Sequence, residues 1–247
     1  MEKRSPLTTP IKATMESPEV KPGTFLVAHP LLNGFFERTV ISIITSSEKE
    51  GVYGAIVNRP THFSPPLPLS EIFQKPLPPN FKECFEFKMV DLGGPVIDNL
   101  QMLHNNPSVG GISIGDGMFY AGGDVSKAIE AVKLKAAKKS DFKFFTGCCV
   151  WAPDQLESEL EAGFWTVVST PKVASVVLGS HNDQETDNDQ LWKGLMAGIG
   201  KEEFTRIPPL SQCGRKQNLN GLLLTGSEKR ENDDGHSSEL AYPSNYL

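Results

Sequence analysis

Residues 24 to 60 constrain this chain more than any other stretch: TFLVAHPLLNGFFERTVISIITSSEKEGVYGAIVNRP. Two apolar runs, Phe25 to Ala28 and Val40 to Ile44, are each followed by a turn, and a third candidate strand covers Gly54–Val57. Such short runs, rich in Phe, Val and Ile and bounded by Gly or Pro, read as strands. Thr24–Ala28, Val40–Ile44 and Gly54–Val57 therefore follow one another with no helix between them. A doubly wound parallel sheet needs a crossover between successive strands, so α+β is the expected class.

Further strands are predicted at Lys88–Leu92, Gly117–Ala121, Phe142–Gly147 and Trp165–Thr170. Asp124 suits a helix N-cap, and Ala128, Ile129, Val132 and Ala136 then share one face. A second helix is expected from Pro153 to Gly163, with Leu156 and Leu160 inward and Glu157, Glu159 and Glu161 mostly in solvent. A third covers about 188–199, with Leu191, Trp192, Leu195 and Ile199 inward.

The ends and one internal stretch read differently. Residues 1–20 are polar, contain Pro6, Pro10 and Pro18, and read as a mobile arm. Residues 21–208 form the expected domain, and 209–247 have the Ser, Asn, Gly and mixed-charge composition of a disordered tail. Residues 61–83 hold six prolines, which predicts a stiff insertion without regular structure, apart from a short helical turn at Leu69–Phe73.

Composition removes several functions. The net charge is −6 and no cluster of five basic residues occurs, which argues against direct nucleic-acid binding through phosphates. No run approaches 18 apolar residues, so membrane insertion is not expected. The four cysteines, Cys84, Cys148, Cys149 and Cys213, lack CxxC or framework spacing, and the five histidines lack metal-ligand spacing. No metal and no cofactor is expected. Residues 1–20 have no apolar core of a secretory signal. A cytoplasmic location is the expectation, with a plastid as the alternative.

Asn58-Arg59-Pro60 is the leading candidate for chemistry. A guanidinium fixed at a strand end can hold a carboxylate or phosphate bidentately. The structural reading pairs Arg59 with an internal acid such as Asp91 and lets Asn58 cap its own turn. Gly93-Gly94 can aim backbone N–H groups at an anion or serve as a plain tight turn. His104 lies in a strand-like segment that could bring it toward Arg59, or it is a hydrogen-bonded structural imidazole. Cys148-Cys149 invites a redox reading, yet strand alternation sends the two side chains to opposite faces. Trp151, Trp165 and Trp192 read as packing anchors.

Six blocks, in order, resemble the UPF0301 family, also called YqgE/AlgH or DUF179. They are Gly23 to Pro30, Phe36 to Val40, Gly54 to Pro60, Gly93-Gly94-Pro95-Val96 with Leu103-His104, Trp151 to Glu157 with Trp165, and Leu191-Trp192. Departures are Asn33, where the family usually has Asp, and Gly147-Cys148-Cys149-Val150-Trp151, where it has Gly-Tyr-Ala-Gly-Trp. The resemblance implies a bifurcated, barrel-like, mostly antiparallel sheet with flanking helices. The Pro-rich insertion and long tail look like those of plant members, some of which carry the domain behind a thioredoxin-like region. This chain is then a stand-alone or shortened form. The resembled family has no settled biochemistry, and bacterial relatives are sometimes labelled regulators. The expected function is a non-enzymatic binding or indirectly regulatory domain with protein partners. The alternatives are a small-anion sensor or enzyme using Asn58, Arg59, Gly93, Gly94 and His104, and a redox protein using Cys148-Cys149.

Overall fold

A computed structural model describes residues 19–59, 79–85, 90–115, 117, 119–170, 172–179 and 189–199. The arm to residue 18, the turn expected at Leu69–Phe73 and the tail from residue 200 lie outside them.

Among the described residues nine strands occur in chain order: β1 (Phe25–Ala28), β2 (Val40–Ser47), β3 (Gly51–Ile56), β4 (Val90–Leu92), β5 (Val96–His104), β6 (Ile112–Ile114), β7 (Phe119–Ala121), β8 (Phe142–Trp151) and β9 (Trp165–Val168). The helices are α1 (Phe81–Phe85), α2 (Val125–Lys133), α3 (Gln155–Glu161), α4 (Val173–Gly179) and α5 (Gln190–Ile199). The sheet runs β6-β7-β5-β8-β3-β2-β1-β9, with β4 joined to β8 alone. Every pair is antiparallel except β4 with β8. The α+β expectation holds.

The bifurcation lies on β8. Its first half pairs with β4 through Phe144, Phe145 and Thr146, and its last residues, Cys149 to Trp151, pair with β3. Gly147, at φ +77°, makes the break between the two halves. Ile56 N–H donates to Gly93 O and Leu92 N–H to Arg59 O, so the end of β4 fills the gap that β3 leaves. The sheet curls without closing. Gly115, just after β6, donates its N–H to Pro22 O, just before β1, at 3.3 Å.

Alternation along β8 assigns its faces. Phe142 and Phe144 join Phe81, Phe85 and Ile129 in a cluster under α1 and α2, while Phe145 faces a second cluster with Phe25, Val177 and Leu195. Beyond Gly147, Cys149 and Trp151 enter a third cluster with Leu156 and Trp165. Asp124 caps α2, its Oδ1 accepting from Ser126 N at 2.8 Å and Lys127 N at 3.3 Å. The helix ends at Lys133, one turn short of the periodic reading, and Ala136 is exposed. The last residues assigned to the insertion, from Phe81, enter α1, where Phe81 and Phe85 supply buried rings.

Ser42 stands at the middle of the sheet, paired with Phe25 and Ala55. Its Oγ is buried without a hydrogen-bond partner among the described residues. An orphaned buried hydroxyl costs about 1–3 kcal/mol. Ser42→Ala is therefore expected to raise stability by about 1 kcal/mol, read as a higher denaturant midpoint at unchanged m-value.

Candidate functional site

Four of the nominated residues, Asn58, Arg59, Gly93 and Gly94, meet where β3 leaves β8. Asn58 is 5% exposed. Its Oδ1 accepts from Val40 N at 2.8 Å and its Nδ2 donates to Arg38 O at 2.9 Å. The amide thus continues the β2 ladder after β3 has ended, as a side chain imitating a peptide group. Both bonds close on β2 and the residues leading into it.

Arg59 turns back over the chain between β1 and β2. One guanidinium nitrogen donates to Phe35 O, another to Glu37 O at 3.2 Å, and the group lies 5.1 Å from the Phe35 ring centre. Burial lowers its pKa from the usual arginine value, while the charges of Cys149, Glu37 and Asp189 act to raise it. The acid proposed as its partner, Asp91, is instead paired with Lys143 at 2.9 Å. Asp91 lies on β4 beside Phe145, and Lys143 reaches it from within the same strand, β8.

Gly93 and Gly94 are placed by close packing. A Cβ on Gly93 would stand 2.2 Å from Gly147 O, and one on Gly94 would stand 2.1 Å from the Cys148 carbonyl carbon. Only a chain without side chains there lets β4 pass across β8 into β5. Gly93 N–H donates to Thr146 O at 2.8 Å and its carbonyl accepts from Ile56 N.

His104 belongs to a different part of the sheet. It pairs with Phe142, whereas Gly94 abuts Cys148, six positions farther along β8 and about 20 Å away at strand spacing. Its Nε2 bonds to Gly122 O at 3.0 Å, its Nδ1 accepts from Asn106 N at 3.2 Å, and the ring stacks on Tyr120 at 5.6 Å. Burial lowers its pKa against those backbone bonds, which favours the neutral ring with the proton on Nε2.

Cys148 and Cys149 are both buried. Their sulfurs lie against separate carbonyls, Val96 O at 3.7 Å and Gly93 O at 3.5 Å. Burial, first, and then the neighbouring Cys148 push the Cys149 thiol well up. A thiol held protonated is a poor nucleophile.

A carboxylate expected in solvent proves central. Glu159, on the inner face of α3, is 1% exposed. Its Oε2 accepts from Trp151 Nε1 at 2.9 Å and from Trp165 Nε1 at 2.7 Å, and its Oε1 accepts from Gln155 Nε2 at 3.0 Å. The spacing carried the signal, since Glu159 lies three residues after buried Leu156. The third indole, Trp192, donates to Ala28 O at 2.8 Å. The three tryptophans therefore anchor helices to the sheet through their N–H groups as well as their rings.

A cavity lined by Ile44, Leu100, Met102, Leu103 and Ala121 measures about 10 Å³, room for one water at most. No group of three or more metal-ligating side chains gathers among the described residues. No helix among them is long and apolar enough to cross a membrane.

A family model described as AlgH-like, DUF179, matches residues 25–203. This chain belongs to the AlgH-like family. A UPF0301 protein of Chlorobaculum tepidum is 33% identical over 156 residues, which is 62% of this chain and 76% of that protein. A UPF0301 protein of Bacteroides thetaiotaomicron is 28% identical over 197 residues, covering 75% of this chain and 87% of its own. The solution structure of the AlgH protein from Pseudomonas aeruginosa overlays with a TM-score of 0.52 at 20% identity, over 78% of this chain and 97% of that one. The overlay shows a shared fold. The six blocks noted in the sequence fall within or just before the AlgH-like match.

Proposed function

We propose that this AlgH-like chain is a non-enzymatic binding domain that acts through protein contacts, with any regulatory role indirect. What carries the reading is where the polar groups nominated for chemistry are spent. Asn58 bonds to the β2 backbone, Arg59 to the carbonyls of Phe35 and Glu37, Gly93 to Thr146 and Ile56, and His104 to Gly122 and Asn106. Residues assembled for catalysis are expected to converge on one concave site. Here His104 lies far from the others, and the glycines are held by packing. The net charge of −6 speaks against direct DNA binding, and buried cysteines that form no disulfide among the described residues suit a reducing compartment such as the cytoplasm.

A second reading keeps a small-anion site at the Asn58-Arg59 turn. What favours it is that Asn58, Arg59, Gly93 and Gly94 do lie together, with the Arg59 guanidinium only half-buried. Native co-purification of the full chain, with mass spectrometry of bound proteins and small molecules, separates the two. The binding reading expects a stoichiometric protein partner that recovers this chain in the reciprocal pull-down. An anionic small molecule retained without protein, and lost in Arg59→Ala, would replace it.

A further inference from the structure

The Glu159 cluster offers more than anchorage, because its hydrogen bonds form a relay to the surface. Oε2 of Glu159 is already filled by two indole N–H groups. A proton arriving on this carboxyl therefore goes to Oε1, where Gln155 Nε2 now donates. Oε1 can then still accept from Gln155 on its second lone pair, but the new buried O–H needs an acceptor of its own, and turning the Gln155 amide supplies its oxygen. That oxygen currently accepts from Ala152 N at 3.0 Å. Turning the amide puts its NH₂ against the Ala152 N–H and withdraws the acceptor. The turn from Ala152 to Gln155 is also the place where Asp154 is held at φ +63°, a costly conformation for a non-glycine residue.

We propose that Glu159, Gln155 and Ala152 form a proton-linked latch: protonation of the buried carboxyl turns the Gln155 amide and frees the exposed turn that leads into α3. The groups around the carboxyl make protonation accessible. Burial raises the Glu159 pKa, while the bonds from Trp165, Trp151 and Gln155 act to lower it. From its own helix and the residue before it, Asp154, Glu157 and Glu161 are exposed. From β8 the titratable neighbour is the Cys149 thiol, which Glu159 pushes up and Arg59 pulls down. Phe36 and Phe164, packed in the same cluster, bring only apolar surface.

The test is an NMR pH titration of the full chain with nitrogen-15 labelling. The indole resonances of Trp151 and Trp165 and the Ala152 amide are expected to move with one midpoint, above the ordinary glutamate value of about 4.3. Ala152 exchange, corrected for intrinsic rate, is expected to be about tenfold faster on the acid side. Glu159→Gln presents an NH₂ where the proton would sit, so its Ala152 should already exchange fast at neutral pH. If that variant does not fold, Gln155→Met serves instead: its indoles should still titrate while Ala152 exchanges fast throughout. Indoles that stay fixed between about pH 7 and pH 4, or an Ala152 amide that ignores their titration, would overturn the latch.

Discussion

Lys143→Met is expected to cost about 3–5 kcal/mol, the largest loss from any single exchange considered for this chain. Lys143 is 6% exposed and Asp91 1%. The ammonium lies 2.9 Å from Asp91 Oδ2, donates to Val57 O at 2.7 Å, and reaches Val177 O at 3.4 Å. It thus joins β8 to β4, to the end of β3 and to α4. Removing the cation leaves a buried carboxylate and two buried carbonyls short of a donor. A domain's whole stability is about 5–15 kcal/mol, so the variant should unfold at much lower denaturant. Replacing both charges, as in Lys143→Met with Asp91→Leu, should recover most of the loss, because the stranded carboxylate goes with its partner. Equilibrium denaturation of the single and double variants checks both statements. Equal losses in the two would mean that the charge pair is not what the strand requires.

Glu159→Ala should cost about 3 kcal/mol at neutral pH, because two buried indole N–H groups lose their shared acceptor. The pH dependence has a definite sign. The folded-state pKa of Glu159 is raised, so the folded chain binds this proton more tightly than the unfolded chain. The stability linked to the proton is complete below the unfolded value of about 4.3 and is lost as pH rises through the folded value. The wild type should gain stability from this group on mild acidification, and Glu159→Gln should flatten that part of the profile. Chemical denaturation at several pH values reads both the offset and the slope. A variant whose profile kept the wild-type slope would assign the proton to another group.

Much of the sheet is legible in the sequence, since seven of its strands contain β-branched or aromatic runs bounded by turn residues. The long β5 is less so. Its residues from Val96 to His104 mix Asp98, Asn99 and Gln101 with apolar positions, and its register shifts between Val96 and Leu100. That strand is specified by pairing with β8 more than by its own pattern. The three-residue β6, with two exposed positions, offers too little alternation to read.

The nearness of four candidate residues was legible in the sequence, whereas the separate place of His104 and the bonds these groups make were not. The Asn58-Arg59 turn and the Gly93-Gly94 crossing do meet, as one cluster of turns at the fork of the sheet. The partners of their polar groups are backbone carbonyls and amides, which sequence spacing does not reveal. Phe35 and Glu37 lie 24 and 22 positions from Arg59. Lys143 was readable in principle: a charged residue inside Phe142–Gly147, a strand buried on both faces, must meet a buried partner. Glu159 was equally readable from its three-residue spacing to Leu156. The glutamates on either side of it disguised the one that turns inward.

Arg59→Ala tests the central claim most directly, that the residues at the fork are spent on the scaffold. The guanidinium bridges the Phe35 and Glu37 carbonyls and covers the Phe35 ring, fastening the connection from β1 to β2 onto the end of β3. Its removal should lower stability by about 1–3 kcal/mol, with a lower urea midpoint and an unchanged slope. A variant with the wild-type midpoint would contradict the account and make the Asn58-Arg59 turn the leading place for a bound anion.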